Sequence, residues 1–361
     1  MGCREHLPVL LVIVSINFAL GIVNVLLKKI LDGGTNHMVI VTYRLSISAI
    51  FLAPIAYYSE REARPKLTVY ILSYLFLAAL VGATLTQYLF LLGLEYTSAA
   101  FSCAFLNTVP ANTFILALPF GLEKVKLKGK AGRAKLLGAI ICMTGAVSLA
   151  LYKGIPLKNS DSYEDIKSHV EATMMSDKKT KSWVMGSVLL MGGSLLWSSW
   201  FLIQAKISER YPCQYSSTAI LSLFGAIQSA SISLILERNI SAWILKGKLE
   251  IVTVIFSGMV ASGLCYVGMA WCVKRRGPVF TAAFTPFIQI FAAIFDFSIL
   301  HDQVYLGSVI GSVVVVVGLY ILLWGKRKEA KECIMKQSLV KEGGNSDVES
   351  QAPVTIKSSS S

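Results

Sequence analysis

Apolar residues run along this chain in blocks of about twenty, the length that carries a helix across roughly 30 Å of hydrocarbon. The blocks place ten helices at 7–28, 38–58, 67–92, 97–120, 135–153, 183–205, 215–236, 251–273, 279–300 and 304–324. Helices are the expected form because backbone N–H and C=O groups in lipid must pair within their own segment. Residues 154–182, between the fifth and sixth blocks, are mixed in charge and poor in apolar side chains, so they read as a flexible linker. From Gly325 the chain turns basic and then serine-rich, and 325–361 read as a disordered cytosolic tail.

Composition agrees with this pattern. Of 361 residues, 54% are hydrophobic and 15% charged, and the mean hydropathy is +0.62. A soluble domain carries about 25% charged residues. The net charge of +13 lies in loops and tail rather than in the spans. Ten spans put both termini on one side, and that side collects 22 Lys and Arg against 11 opposite. Without linker and tail the ratio is 15 to 5. The positive-inside rule therefore places both termini in the cytosol. The same distribution, with no basic-aromatic surface domain, argues against a nucleic-acid partner. The partner in view is the bilayer, with the plasma membrane expected ahead of the vacuolar membrane. The first block is too long for a signal-peptide core and lacks a small-x-small cleavage site, so it reads as a retained span. Cysteines such as Cys103, Cys142, Cys265 and Cys272 fall in or beside spans, where they act as small hydrophobes.

Polar residues inside the spans carry the functional signal. The stretch "AFLNTVPANTFILALPF", Ala104 to Phe120, puts Asn107, Thr108, Pro110, Asn112 and Thr113 at membrane depth. Pro110 has no N–H for the carbonyl of Leu106, and Pro286 has none for Ala282. A carbonyl freed there is tolerated where protein or a water-filled cavity meets it. Asn107, Pro110 and Thr113 are candidates for one cavity wall, and Pro286 and Gln289 for the other. Packing between helices is the competing reading for each. Arg44 is the one cation well inside a span, about 9 Å from its outer end at 1.5 Å per residue. It is a candidate for a substrate carboxylate, against snorkelling outward. Asn24, Gln87, Trp197 and Gln204 are further wall candidates. Tyr266 and Trp271 read equally well as interface anchors. Asp296 near an outer edge suits a hydrated carboxylate better than a proton relay.

An internal repeat organises these positions. At an offset of 179, Phe101 falls on Phe280 and Glu123 on Asp302. Pro110 and Pro286 are about one turn out of register. Gly138 and Gly145 are seven apart, as are Gly311 and Gly318. The unit is five helices, so the copies cross in opposite directions, the architecture of alternating-access carriers. The fold class expected is an all-α integral membrane protein of ten transmembrane helices in two inverted five-helix repeats. The glycines of the fifth and tenth helices, with Gly307-x-x-x-Gly311, would serve close packing or a homodimer contact.

Other chemistries find little support. The four histidines are scattered, and there is no H-E-x-x-H, P-loop or cysteine pair at metal-ligand spacing. No metal or other cofactor is expected, and a membrane enzyme is disfavoured. A channel is the alternative that saturable exchange would exclude. Asn, Gln, Thr and freed carbonyls suit a zwitterion such as an amino acid. A nucleotide-sugar carrier would need more span cations than Arg44.

"YTSAAFSCAFLNTVPANTF", "RRGPVFTAAFTPF", "YLGSVIGSVVVVVGLYILLWGK" and "VTYR" resemble the plant UMAMIT group. These are walls-are-thin-related or nodulin-like proteins of the EamA branch of the drug/metabolite transporter superfamily. The resemblance runs to Lys326. It implies two EamA units, at 7–153 and 183–324, and bidirectional movement of amino acids or, in some members, auxin. Its motif N-x-x-P-A-x-T-F falls on Asn107, Pro110, Ala111, Thr113 and Phe114. Two departures lie at membrane edges: Gly121 where the family commonly has Arg, and His301-Asp302 where it often has Glu.

Overall fold

The computed structural model describes residues 6–32, 36–62, 64–96, 105–122, 129–151, 176–236, 243–245, 247–295 and fourteen positions within 310–329. Among them the regular elements are all helical: α1 (His6–Asp32), α2 (His37–Glu60), α3 (Val69–Ala78), α4 (Thr86–Tyr96), α5 (Val109–Ala117), α6 (Lys130–Leu151), α7 (Ser176–Arg210), α8 (Gln214–Leu236), α9 (Lys248–Ser257), α10 (Tyr266–Arg276), α11 (Pro278–Ala282) and α12 (Pro286–Phe295). Two π-helical segments, Ala79–Leu85 and Gly258–Cys265, join α3 to α4 and α9 to α10. Among the described residues six stretches are long and apolar enough to cross a membrane: Leu7–Leu31, His37–Glu60, Val69–Phe90, Val184–Arg210, Gln214–Leu236 and Lys248–Arg276. The other four expected spans, at 97–120, 135–153, 279–300 and 304–324, all run partly outside the described residues.

Boundaries differ from the hydropathy reading where polar residues extend a helix. α7 begins at Ser176, inside the stretch read as linker, and residues 154–175 of that stretch lie outside the described set. Helical residues persist to Glu329, past the expected end at 324. There Glu329 pairs with Lys135 of α6, whose side chain is buried. A carboxylate beside that ammonium offsets the cost of burying it. The rest of the tail, from 330, lies outside the described residues.

Packing is antiparallel along several seams. On α2 and α8, Thr42 meets Ser229 at 3.2 Å, Ser48 meets Ser222 at 3.0 Å, and Glu60 reaches Tyr215. On α1 and the α9–π2 stretch, where π2 denotes Gly258–Cys265, Cys265 Sγ lies 3.9 Å from the Ile16 carbonyl, while Ile30 clusters with Val254 of α9. The α6 helix lies against residues 318–325 so closely that a Cβ on Gly138 would meet the Leu322 nitrogen at 2.5 Å. A Cβ on Gly318 would likewise meet the Cys142 nitrogen at 2.5 Å. Glycine is therefore required on both sides of that seam. Gly145 is buried on α6, whereas Gly307 and Gly311 lie outside the described residues.

The two π segments stand in corresponding places. Gly258 follows Ala79 by 179 residues, the offset that relates Phe101 to Phe280. A π turn widens the helix and leaves carbonyls without their usual donors. In the first copy the Thr86 hydroxyl donates to the Val81 carbonyl at 2.6 Å and takes up one of them.

Candidate functional site

The helix containing "NTVPANTF" is broken where its prolines and polar residues predict. Residues 105–107 form one turn, Thr108 is non-helical, and α5 restarts at Val109. Pro110 occupies the first turn of α5, where a missing N–H leaves no bond unmade. The break re-pairs locally: the Thr108 amide and hydroxyl donate to the Phe105 carbonyl at 3.1 and 2.6 Å. In the second copy α11 ends at Ala282, residues 283–285 form a turn, and α12 starts at Pro286, which is buried. The Ala282 carbonyl was expected to be free. It instead accepts from the Thr285 amide at 3.0 Å, because the chain tightens to i→i+3 bonding ahead of the proline.

Asn107, Pro110 and Thr113 are all buried, and the Thr113 hydroxyl donates to the Val109 carbonyl at 2.8 Å. Their neighbours Thr108 and Asn112 both engage Ser194 of α7, at 2.8 and 2.7 Å. Ser198 donates to the Val109 carbonyl at 3.3 Å. The broken helix is thus clamped to one face of α7 by small hydroxyl groups.

The adjoining face of α7 carries aromatics. Trp197 stacks on Trp200 with centroids 5.1 Å apart and planes 10° from parallel. Phe201 and Tyr266 stand edge-on to both indoles at 5.1–6.0 Å. The cluster presses on the first π segment, where a Cβ on Gly82 would meet Trp200 Cδ1 at 2.1 Å. Tyr266, which sequence could assign to an interface anchor, is 8% exposed and belongs to this core. Trp271 is half-buried, with Arg275 over its ring at 5.5 Å.

Arg44 of α2 reaches this cluster. Its charge acts on the Tyr266 phenol and the Cys265 thiol. Its Nε is buried with no hydrogen-bond partner, and so is Nε1 of Trp200. Native interiors leave few buried donors unpaired, and each such group calls for an explanation. Both lie beside one aromatic cluster, and they come from different halves of the chain. Unmatched oxygens at Ser208 and Gln214 occur elsewhere, at the α7–α8 turn. Gln204 is buried at 2% exposure, one heptad below Trp197 on α7.

The two ends of the molecule differ. Asn24 shares an α1 face with Ile13 and Asn17, both buried, yet Asn24 itself is exposed. That interior stripe therefore opens toward the end bearing the α1 C-terminus. Gln87, just after the first π segment, is half-buried. At the opposite end Glu60 accepts the amides of Tyr215 and Ser216 at 3.0 and 2.8 Å, capping α8 from another helix. Arg64 donates to Ser216 at 2.9 Å, and Lys274 to the Pro212 carbonyl at 3.2 Å. Tyr211 and Cys213 in the intervening turn are buried, and burial pushes both their pKa values up. Near the same end Gly121 has φ of +67°, a conformation that costs glycine little and an arginine much more. The Gln289 side chain lies outside the described residues.

Sequence reading missed Trp200, the Ser194/Ser198 pair and the Glu60 cap. The four-residue spacing of the serines and the W-x-x-W spacing were visible signals. Nothing local marks Glu60, whose partners are 155 and 156 residues away.

Comparison with known proteins matches the EamA-like transporter family over residues 7–151 and again over 184–324. Three WAT1-related proteins of Arabidopsis thaliana are 55%, 54% and 52% identical to the chain. The matches cover 91%, 89% and 91% of this chain and 90%, 88% and 89% of those proteins, respectively. A crystal structure shares the fold with a TM-score of 0.64 at 13% identity, covering 86% of this chain and 98% of its own. The chain belongs to the EamA-like transporter family, in its plant WAT1-related (nodulin-like) branch, and is a multi-pass membrane solute transporter.

Proposed function

We propose that the chain is a secondary carrier of small organic solutes, amino acids first, working by alternating access. In this reading ten spans form two inverted five-helix copies, with both termini cytosolic and the plasma membrane as the address. Support comes from the two EamA matches, the π segments 179 residues apart and the paired helix breaks. The observation that carries the substrate reading is the pair of buried, unpartnered donors, Arg44 Nε and Trp200 Nε1. A carboxylate accepts from both and neutralises the arginine, and charge-assisted bonds of this kind are the stronger ones. Asn107, Pro110, Thr113, Pro286 and Gln289 then shape the crossing of the broken helices, with Asn24, Gln87, Trp197 and Gln204 along the approach. The open stripe at Asn24 and the capped α2–α8 junction fit a state facing outward.

An auxin-like aromatic acid is the second reading, favoured by the Trp197–Trp200 stack, of which Trp197 is the less buried ring. Both readings are tested by release of preloaded, labelled amino acids and auxin from oocytes, with surface labelling to equalise delivery. Saturable release that Arg44→Gln abolishes supports the carrier and its site. Unitary currents would support a channel instead, and release unchanged in Arg44→Gln would return that residue to packing.

A further inference from the structure

Lys206 and Arg210 sit one turn apart at the end of α7, on one face, with like charges that repel at this spacing. Among the described residues neither forms an ion pair with a carboxylate. Their neighbours are rings: Arg210 lies 4.5 Å from the centroid of Tyr70, and Lys206 lies 5.0 Å from that of Phe120. A ring face attracts the cation but uses none of its hydrogen-bond geometry toward oxygen acceptors. Tyr70 and Tyr74, with centroids 4.7 Å apart, bring two phenols to the same place. Together with Ile71 and Ile207 these four side chains line a shallow groove between α3 and α7. No acidic residue lines it, Glu209 included.

We infer that this groove binds the phosphate of an anionic phospholipid. Two cations and the Tyr70–Tyr74 phenol pair match a phosphate diester, and the exposed apolar side chains beside the groove match the first carbons of its acyl chains. A soluble phosphate would meet the same charges. The flank decides between the two: Leu67, Val69 and Leu72 are exposed beside the groove, at the edge of a span where only lipid covers such side chains. Under the positive-inside orientation this edge lies in the cytosolic leaflet, the one rich in anionic lipid. Basic pockets between spans on that side are suited to such headgroups. Other ring-covered cations at this end, Arg61 over Tyr57 and Arg275 over Trp271, do not line this groove and serve as controls.

The test titrates the purified full-length chain in detergent with dioctanoyl phosphatidylserine, dioctanoyl phosphatidylcholine and inorganic phosphate, reading binding by native mass spectrometry. The serine lipid is expected to bind about tenfold more tightly than the choline lipid, and Lys206→Gln/Arg210→Gln to weaken it about tenfold. Arg275→Gln should leave it unchanged. If the double variant is not monodisperse, Lys206→Gln alone should still weaken binding severalfold. Equal binding of the two lipids overturns the site, as does undiminished binding by the variants or an equal loss in Arg275→Gln. Displacement of the serine lipid by equimolar phosphate overturns the lipid assignment. None of these readouts depends on transport.

Discussion

α2 contributes to two buried polar regions that behave differently. Along the α2–α8 seam, Thr42, Ser48, Ser222, Ser229 and Ser233 are all within 6% exposure, and their hydroxyls meet partners. Ser48 also reaches the Ser262 carbonyl at 2.9 Å, which ties the seam to the second π segment. Around Trp200 the polar atoms are equally shielded, yet Arg44 Nε and Trp200 Nε1 have no acceptor. Burial alone therefore does not mark a binding site. A satisfied network holds helices together, whereas on the proposed reading the donors left over around Trp200 are completed by the substrate.

The sharpest way to break this contrast is Arg44→Gln. Losing a hydrogen bond to a charged group costs about 1.5–3 kcal/mol, so release should fall roughly ten- to a hundredfold with surface delivery intact. Gly82→Ala comes next. Its Cβ must displace Trp200, and overpacking of this kind costs about 1–3 kcal/mol, read as a lower melting temperature in detergent. Trp200→Phe removes the N–H together with the pyrrole ring of a fully buried indole. It should weaken apparent substrate affinity by about fivefold, near 1 kcal/mol, and lower the melting temperature through the cavity it leaves.

Glu60→Gln keeps an acceptor but removes the charge that holds two amides of α8. The capped end should open more often, and maleimide labelling of Cys213 should rise severalfold. Because burial raises the Cys213 pKa, less thiolate is present at a given pH than for an exposed thiol, so labelling of the parent should start slow. The smallest effect belongs to Thr42→Val. Interhelical hydroxyl bonds average about 0.6 kcal/mol, so stability should drop slightly and release should not change. A large transport defect there would erase the distinction between seam and site.

Much of this was legible in the sequence. The apolar blocks placed the six long apolar helices, and the 179-residue offset read between Phe101 and Phe280 recurs between the two π segments, in helices the sequence related only loosely. Arg44 was legible because a lone cation in a span needs a reason. Trp197 was legible only as a wall candidate, since an indole in a span also anchors at interfaces. Tyr266 looked like such an anchor, but it stands edge-on to Trp197 and Trp200 of α7 in the core. The Ala282 carbonyl shows the opposite limit: proline chemistry predicts a lost donor, but not that a tightened turn supplies another from Thr285. Whether a buried donor is paired depends on residues more than a hundred positions away, and no local pattern encodes that.

The most direct measurement is competition against a labelled amino acid by its unlabelled form and by its α-carboxamide, in parent and Arg44→Gln. If the leftover donors bind a carboxylate, the parent should prefer the acid over the amide by about tenfold, and Arg44→Gln should lose that preference. Equal competition by acid and amide in the parent, or an undiminished preference in Arg44→Gln, would contradict the assignment.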